Sequence, residues 1–474
     1  MAKDLHSFLS DYSKAFPTDV IRVSKPISVR WECTEIARKF ERQNKFPLIV
    51  FEKLITTEGT LSDFPCVINV LGDRRKLAFA IGSTFENVAI DWRKRCDNPI
   101  PPVLVKRKEA PVKEKVLKGD EVNLLALPTL HHHEMDPGPY ITAGMLTTKD
   151  LEQGAYNTSF QRGFIAGPRE IRCYISPRTH NFYNLKAFHA QGREMPVIYW
   201  VGHHPSVLMG AHTRASYMED HYHMAGAVSG EPLRLVSSET LGDDFLVPAD
   251  AEFVIEGIMR PNAFRPEGPF GEYPRYYGPQ RHSPVFEVTA VTCRKEPLWH
   301  SFMVGINNNY GGTQEEGTIY AAVKRVVPQV QRVYVPVSGS GRFHAYIQLK
   351  KTHDGQPKEV IMAALSASEW VKHVVVVDDD IDIYDDRWVL WAIATRSQWD
   401  RDLVVVPGCH GSQLDPTSKP GGISTKAGID ATKPAPPKRF PFRLSVPKEV
   451  EEKIKLEDFI DAETLSRVPG ASDK

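Results

Sequence analysis

Apolar and polar positions change period along the chain. Residues 4–16 carry Leu5, Phe8, Leu9 and Tyr12 at helical spacing, and residues 33–43 read as a second helix. Residues 47–51 (PLIVF) and 65–70 (PCVINV) are short apolar runs, which predicts buried strands. The first hundred residues therefore read as a small α/β unit. From about residue 121 to 304 the pattern is mostly β. Residues 141–148, 171–175, 197–201, 253–259 and 285–292 are strand-like, separated by Gly, Pro and Asn turns. Many strands with few long helical periods predict a barrel or sandwich. After Gly311 helix and strand alternate. Helices are predicted at 319–330, 359–368 and 385–395, and strands at 345–350, 372–377 and 403–407. The tail from Pro434 is rich in Pro and Lys and ends in a weak helix at 451–459.

Composition narrows the function classes. Lys+Arg and Asp+Glu number 59 each in 474 residues, so no net charge draws the chain to nucleic acid or an anionic membrane. Residues 98–118 are rich in Pro and Lys but lack aromatic residues for base stacking. They read as a solvated connector, not a nucleic-acid arm. Six cysteines without a C-x-x-C pair support neither a zinc site nor a disulfide scaffold and fit a reducing cytosol. No apolar run reaches signal-peptide or membrane-span length, which predicts a soluble, cytoplasmic protein.

Two blocks hold candidate chemistry. In Arg265-Pro-Glu267-Gly-Pro-Phe-Gly-Glu272-Tyr, two carboxylates lie five residues apart across a Gly-Pro-Phe-Gly turn. A tight loop lets both face one cavity, and Phe270 supplies apolar surface that favours a protonated acid. The plainer reading is a hairpin with solvated glutamates. In Asn157-Thr-Ser-Phe-Gln-Arg162-Gly, an Asn carbonyl can ligate a hard cation and Arg can grip a carboxylate bidentately; the plainer reading is a turn Asn and a strand-end Arg. His180 follows. The run His131-His132-His133 resembles a metal tract, but successive residues on an extended strand face opposite ways. The acidic run 378–386 lacks the glycine and terminal glutamate of a calcium loop and is expected to end a strand and cap a helix. Dinucleotide-binding, phosphate-loop and G-x-S-x-G motifs are absent.

Together these pieces resemble the UbiD family of decarboxylases, which use prenylated FMN. The matching segments run in family order: Tyr140-Ile-Thr-Ala-Gly144, Asn157 through Arg162, His180, Pro196 to Pro205, Ala225 to Val236, Glu267-Gly-Pro-Phe-Gly-Glu272-Tyr and Ser424-Thr-Lys426-Ala-Gly-Ile-Asp-Ala-Thr432. The resemblance implies an N-terminal α/β region with connector (1–118), a central split β-barrel that binds the cofactor (119–318), and a C-terminal α/β oligomerisation domain with tail (319–474). It implies a homodimer or higher homo-oligomer and a partner flavin prenyltransferase that supplies the cofactor. The flavin phosphate would be held through Mn2+ or Mg2+, with K+ nearby. Asn157, Ser159, Phe160, Gln161, Arg162, His180 and Lys426 fall on the family's cofactor-binding segments, and Asn157 and His180 on its metal ligands. The third metal ligand in the family is a Glu. Here His221 holds that position, and Glu219 or Asp220 would take over if the loop is shifted. Loss of CO2 from an sp2 carbon needs an electron sink that side chains lack. The resemblance makes Glu272 the proton donor, Arg162 the group that orients a carboxylate, and Glu267 the group that holds both. The substrate would be an aromatic, heteroaromatic or α,β-unsaturated carboxylic acid, decarboxylated reversibly. An FMN-dependent oxidoreductase and a non-catalytic flavin- or metal-binding assembly subunit are the alternatives. Tyr276, His282 and Asn307 to Asn309 are further polar positions for a substrate.

Overall fold

The structure, a computed structural model, describes residues 3–306 and 309–468. Three larger sheets organise a mixed α/β chain. The first runs in the order Val20–Val23, Leu48–Phe51, Cys66–Ile68 and Trp299–Ser301, so the N-terminal unit borrows its last strand from far along the chain. The predicted helices appear at Leu5–Ala15 and Glu32–Glu41. Asp4 caps the first by accepting from Ser7 N at 2.8 Å.

The central sheet has nine strands, all antiparallel. Its path is Tyr156–Phe160, Gly144–Lys149, Met195–Val201, Phe253–Glu267, Arg281–Cys293, Glu170–Cys173, Gly163–Gly167 and Tyr140–Ile141, with Lys115–Lys118 also paired to Arg281–Cys293. Among the described residues this path is open and no pairing closes it into a barrel. Yet Tyr156–Phe160 stands first in the path and Gly163–Gly167 seventh, and residues 161 and 162 alone join them. That link spans ~11 Å at full extension, so the sheet must roll until its ends approach. Bulges at Glu256/Gly257 and between Met259 and Phe264 bend the longest strand, Phe253–Glu267, as this requires.

The C-terminal sheet follows the order Val330–Tyr334, His344–Leu349, His373–Asp378, Ile423–Ala431 and Leu403–His410, with helices Gln356–Ala367 and Asp386–Arg396 beside it. The acidic run behaves as predicted. Asp378 ends a strand, and the Asp385 side chain accepts from Arg387 N to cap the next helix.

Three sequence expectations differ from the structure. Residues 98–118 are more than a solvated connector: Val103–Leu104 pairs with Arg234–Ser237, and Lys113 is buried between Glu239 and Glu256. The central region contains helices His180–Ala190, Pro205–Ala211 and His221–Ser229. Pro205–Ala211 is buried on every side, so it shows no amphipathic period. The helix expected at 319–330 is Asn309–Val326. Its early glycines reflect close packing rather than a loop, since a Cβ on Gly312 would lie 2.8 Å from Val335 O. All six cysteines are free. Among the described residues no helix is long and apolar enough to cross a membrane.

Candidate active site

The link between the first and seventh strands delivers Arg162. The long strand Phe253–Glu267 delivers Glu267 at its end, and Gly268, at φ 83°, turns the chain into the short pairing of Phe270–Gly271 with Tyr277–Gly278. Glu272 follows directly. Arg162 Nε donates to Glu267 Oε1 and Nη2 to Oε2, each at 2.9 Å, while Nη1 donates to Glu272 Oε1. Glu267 is fully buried and takes a third bond, from Tyr140 Oη at 2.9 Å. The Glu272 side chain keeps 15 % exposure, so it is the member of the pair that an incoming molecule can touch. Burial and the neighbouring Glu267 carboxylate push the Tyr140 phenol well above its usual range, so it is a donor throughout the physiological range. Phe270 lies 5.3 Å from the Arg162 guanidinium carbon, and its ring centroid is 4.1 Å from that of Tyr140.

The His131–His133 loop buttresses this turn and shows no metal geometry. Asp136 accepts from Gly271 N at 3.2 Å and from His133 N at 2.9 Å, and His131 Nε2 bonds Asp136 O. A Cβ on Gly271 would lie 2.5 Å from His133 Nδ1, so glycine is required there. Among the described residues no group of three His, Cys, Asp or Glu side chains is placed to hold a metal ion.

A set that includes an amide is a different matter. Strand alternation puts Asn157 and Ser159 on one face of Tyr156–Phe160, where both meet Asn181. Asn157 Nδ2 donates to Asn181 Oδ1 at 2.6 Å, which leaves the Asn157 side-chain oxygen as the group able to accept or ligate. His180 opens the helix His180–Ala190, and its ring centroid lies 6.4 Å from that of His221. His221 Nδ1 donates to Ala211 O at 2.8 Å, since a carbonyl only accepts. That fixes the tautomer and leaves Nε2 with its lone pair, buried and without a hydrogen-bond partner. Burial lowers the pKa of both imidazoles. For His221 it outweighs the opposing pull of the Ala211 and Thr158 backbone. Two neutral imidazoles and an amide oxygen are each able to ligate a divalent cation, although imidazole donors suit zinc, copper, iron or nickel better than manganese or magnesium, which favour oxygen. The neighbouring carboxylates are engaged elsewhere. Asp220 caps the helix through Tyr222 N at 2.8 Å and takes Tyr156 N at 3.0 Å on its other oxygen. Glu219 is exposed and accepts from Ser216 N.

Other expected positions divide. Ser159 Oγ accepts from Gln161 Nε2 at 3.2 Å, which extends the Asn157 face toward Arg162. Phe160 faces the other way, into an aromatic group with Phe302 and Tyr310. Lys426 Nζ is buried and bonds Leu365 O and Ser368 O at the C-terminal end of Gln356–Ala367, with no bond to either cluster among the described residues. Tyr276 lines a cavity beside Glu272, whereas His282 is exposed and alternates away from Arg281. Residues 307 and 308 lie outside the described residues. Sequence reasoning assigned no role to Tyr140 or Asn181. Both were adjacent to quoted motifs, Tyr140 opening one and Asn181 following His180, and that adjacency was the available signal.

Three family models cover most of the chain: the N-terminal, Rift-related and C-terminal domains of 3-octaprenyl-4-hydroxybenzoate carboxy-lyase (UbiD), over residues 16–96, 103–307 and 308–431. Anhydromevalonate phosphate decarboxylase of Methanothermobacter thermautotrophicus is 32% identical over 418 residues, which is 88% of this chain and 94% of that protein. The UbiD-class enzyme HmfF from Pelotomaculum thermopropionicum, solved with FMN, is 37% identical with a TM-score of 0.89, covering 96% of this chain and 100% of that one. An evolved dimeric form of it with prFMN is 35% identical with a TM-score of 0.86, covering 97% and 100%. Vanillic acid decarboxylase of Sedimentibacter hydroxybenzoicus, in open form, is 28% identical with a TM-score of 0.83, covering 95% and 97%.

Proposed function

The chain belongs to the UbiD family of carboxy-lyases, and from that premise we propose that it decarboxylates an aromatic, heteroaromatic or α,β-unsaturated carboxylic acid, reversibly and without net oxidation, using prenylated FMN. The observation that carries this reading is the guanidinium of Arg162 shared between Glu267 and Glu272. When bound, prenylated FMN supplies the electron sink that side chains lack. Everything else falls to residues of this chain. Glu267, held by Tyr140 and buried, keeps Arg162 in one orientation. An incoming carboxylate competes with Glu272 for Arg162 Nη1, which frees Glu272 to take up a proton from water. Glu272 then delivers that proton to the carbon that has lost CO2. Asn157, His180 and His221 would hold a divalent cation, manganese or magnesium, at the flavin phosphate, with potassium as the monovalent neighbour the resemblance implies. Asn157 and Arg162 stand five residues apart, so their Cα atoms are separated by at most about 17 Å, and a mononucleotide would fit within that limit. Ser159 and Gln161 would line the span between them.

The same reading takes residues 1–118, 119–318 and 319–474 as three domains and the central sheet as a split barrel. The rolled path from Tyr156–Phe160 to Gly163–Gly167 supports the latter. It also implies assembly into a homodimer or larger oligomer, a flavin prenyltransferase as the source of cofactor, and Lys426 as a cofactor contact once released from a helix carbonyl. The test is co-production with a flavin prenyltransferase, anaerobic purification, mass analysis of the bound flavin, and a screen of aromatic and unsaturated acids for CO2 release. A bound prenylated flavin with release from at least one acid is expected. Plain FMN with nicotinamide oxidation would instead make the protein an oxidoreductase.

A further inference from the structure

The turn that carries Glu272 is bonded to two different parts of the molecule. The Glu272 side chain reaches Arg162 in the central sheet. The next residue, Tyr273, reaches the C-terminal region. Its Oη donates to Ser412 Oγ at 2.8 Å, and its ring centroid lies 5.6 Å from that of Phe343 and 6.0 Å from that of Trp370. Burial pushes its phenol up to about 12, so it stays a donor at neutral pH. The wall it meets is itself fixed. Ser412 is buried, and its Oγ also accepts from Leu414 N at 3.1 Å. Trp370 N donates to Ser368 Oγ at 3.2 Å, Ser368 Oγ donates to the buried Glu315 at 2.6 Å, and the Arg342 guanidinium carbon lies 5.1 Å from the Trp370 ring centroid. The Glu272 backbone is locked into the same turn: its N donates to Tyr276 O and its O accepts from Arg275 N, each at 2.9 Å. A shift of Tyr273 is therefore a shift of Glu272. The turn's other side-chain anchors flank this point. Asp136 accepts from Gly271 N, Tyr277 Oη accepts from Met135 N, and Arg275, more than half exposed, pairs with Glu41, a contact that holds weakly in water.

Arg162 is the partner that Glu272 gives up when a carboxylate arrives, so another group has to keep the freed carboxyl at the reacting carbon. We propose that Tyr273 is a positioning residue for the proton donor: anchored to Ser412, Phe343 and Trp370, it holds Glu272 in place while substrate occupies Arg162. This rests on the decarboxylase reading for the task of Glu272. A misplacement of about 1 Å is enough to cost on the order of a hundredfold in rate. Tyr273 acts through Glu272 and carries no proton itself.

The test uses holo-protein and three probe acids, cinnamate, 4-hydroxybenzoate and 2-furoate. It follows CO2 release, the flavin spectrum and amide hydrogen exchange over residues 268–278. Tyr273→Leu removes the hydrogen bond and the ring. It should retain the flavin, keep KM within about twofold and lower kcat by roughly tenfold to a hundredfold. Tyr273→Phe keeps the ring and should recover most of that loss, with a remaining deficit of about two- to tenfold for one hydrogen bond. Ser412→Ala should show the same deficit, and the double variant no more than either. Both keep the test open should Tyr273→Leu fail to fold. In a Glu272→Gln background, Tyr273→Leu should cost less than about a further twofold, because no acid remains to be positioned. The full loss in that background as well, a rise in KM with kcat unchanged, or normal turnover in Tyr273→Leu would overturn the proposal. If the wild-type protein releases CO2 from none of the three acids, the decarboxylase reading loses its support and the anchor is judged by exchange. Tyr273→Leu should then speed exchange over 268–278 by about tenfold or more, and an unchanged rate would overturn the anchor on its own.

Discussion

Arg162 and Glu267 meet through two parallel N–H···O bonds of 2.9 Å each, which leaves a single guanidinium nitrogen, Nη1, for Glu272. The buried glutamate thus has a fixed partner, and Glu272, which keeps some exposure, has a partner it can lose.

Glu272→Gln keeps the side chain's size but removes the acidic proton. Holo-protein carrying it should retain the flavin spectrum and lose turnover by about a hundred- to ten-thousand-fold. Near-normal product formation would show that water or another group delivers the proton.

Tyr140→Phe takes one donor from the buried Glu267 carboxylate. A bond to a charged group is worth about 1.5–3 kcal/mol, so a loss of stability in that range is expected in urea unfolding, together with lower turnover as Arg162 loosens. Unchanged stability and unchanged kcat would mean that Glu267 finds its third bond elsewhere.

On the proposal that Asn157, His180 and His221 hold a divalent cation, His221→Ala should lower the metal content of protein loaded with manganese, read by elemental analysis, more than Glu219→Ala. Asp220→Ala should instead cost about 1 kcal/mol of stability through the lost helix cap. Metal loss that follows Glu219 or Asp220 and spares His221 would return the role to a carboxylate.

Acid should unfold the protein from the histidine side. Burial pushes His132, His203, His212 and His300 each down to about 3. The unfolded chain therefore takes up protons below about pH 6.5 while the folded chain does not. Stability is complete above that value and falls progressively toward pH 3, with a slope approaching about 1.4 kcal/mol per pH unit for each histidine. Asp250, pushed up to about 6 by burial, opposes this between its folded and unfolded values. Denaturant midpoints flat between pH 7.5 and 5 would contradict the account.

The alternating strands and helices of the C-terminal sheet were legible as short apolar runs such as His373–Asp378, buried on both faces, set between helix-length segments; the helix expected at 385–395 is Asp386–Arg396. Pro205–Ala211 was not, because a helix buried all round has no polar face to reveal its period. The Arg162, Glu267 and Glu272 set was readable through resemblance, since spacing alone cannot bring together residues more than a hundred positions apart. Lys426 shows the converse: a motif residue whose ammonium is held by helix carbonyls in this conformation. Tyr273 closed a quoted motif but had no role in it. Its interest arises from a hydrogen bond to Ser412, 139 positions away, which a linear reading does not contain.

The two-residue link that carries Arg162 also sets a schedule for synthesis. Its partners Glu267 and Glu272 follow 105 and 110 residues later. At ribosomal speeds, roughly 5–20 residues per second, the arginine emerges several seconds or more before either carboxylate exists. A lone guanidinium cannot be buried without a partner, so the seam of the rolled sheet has to stay wet through that interval. The nascent chain therefore closes around its site only after the Gly-Pro-Phe-Gly turn has left the ribosome, and cofactor loading belongs to the finished domain and not to the growing one.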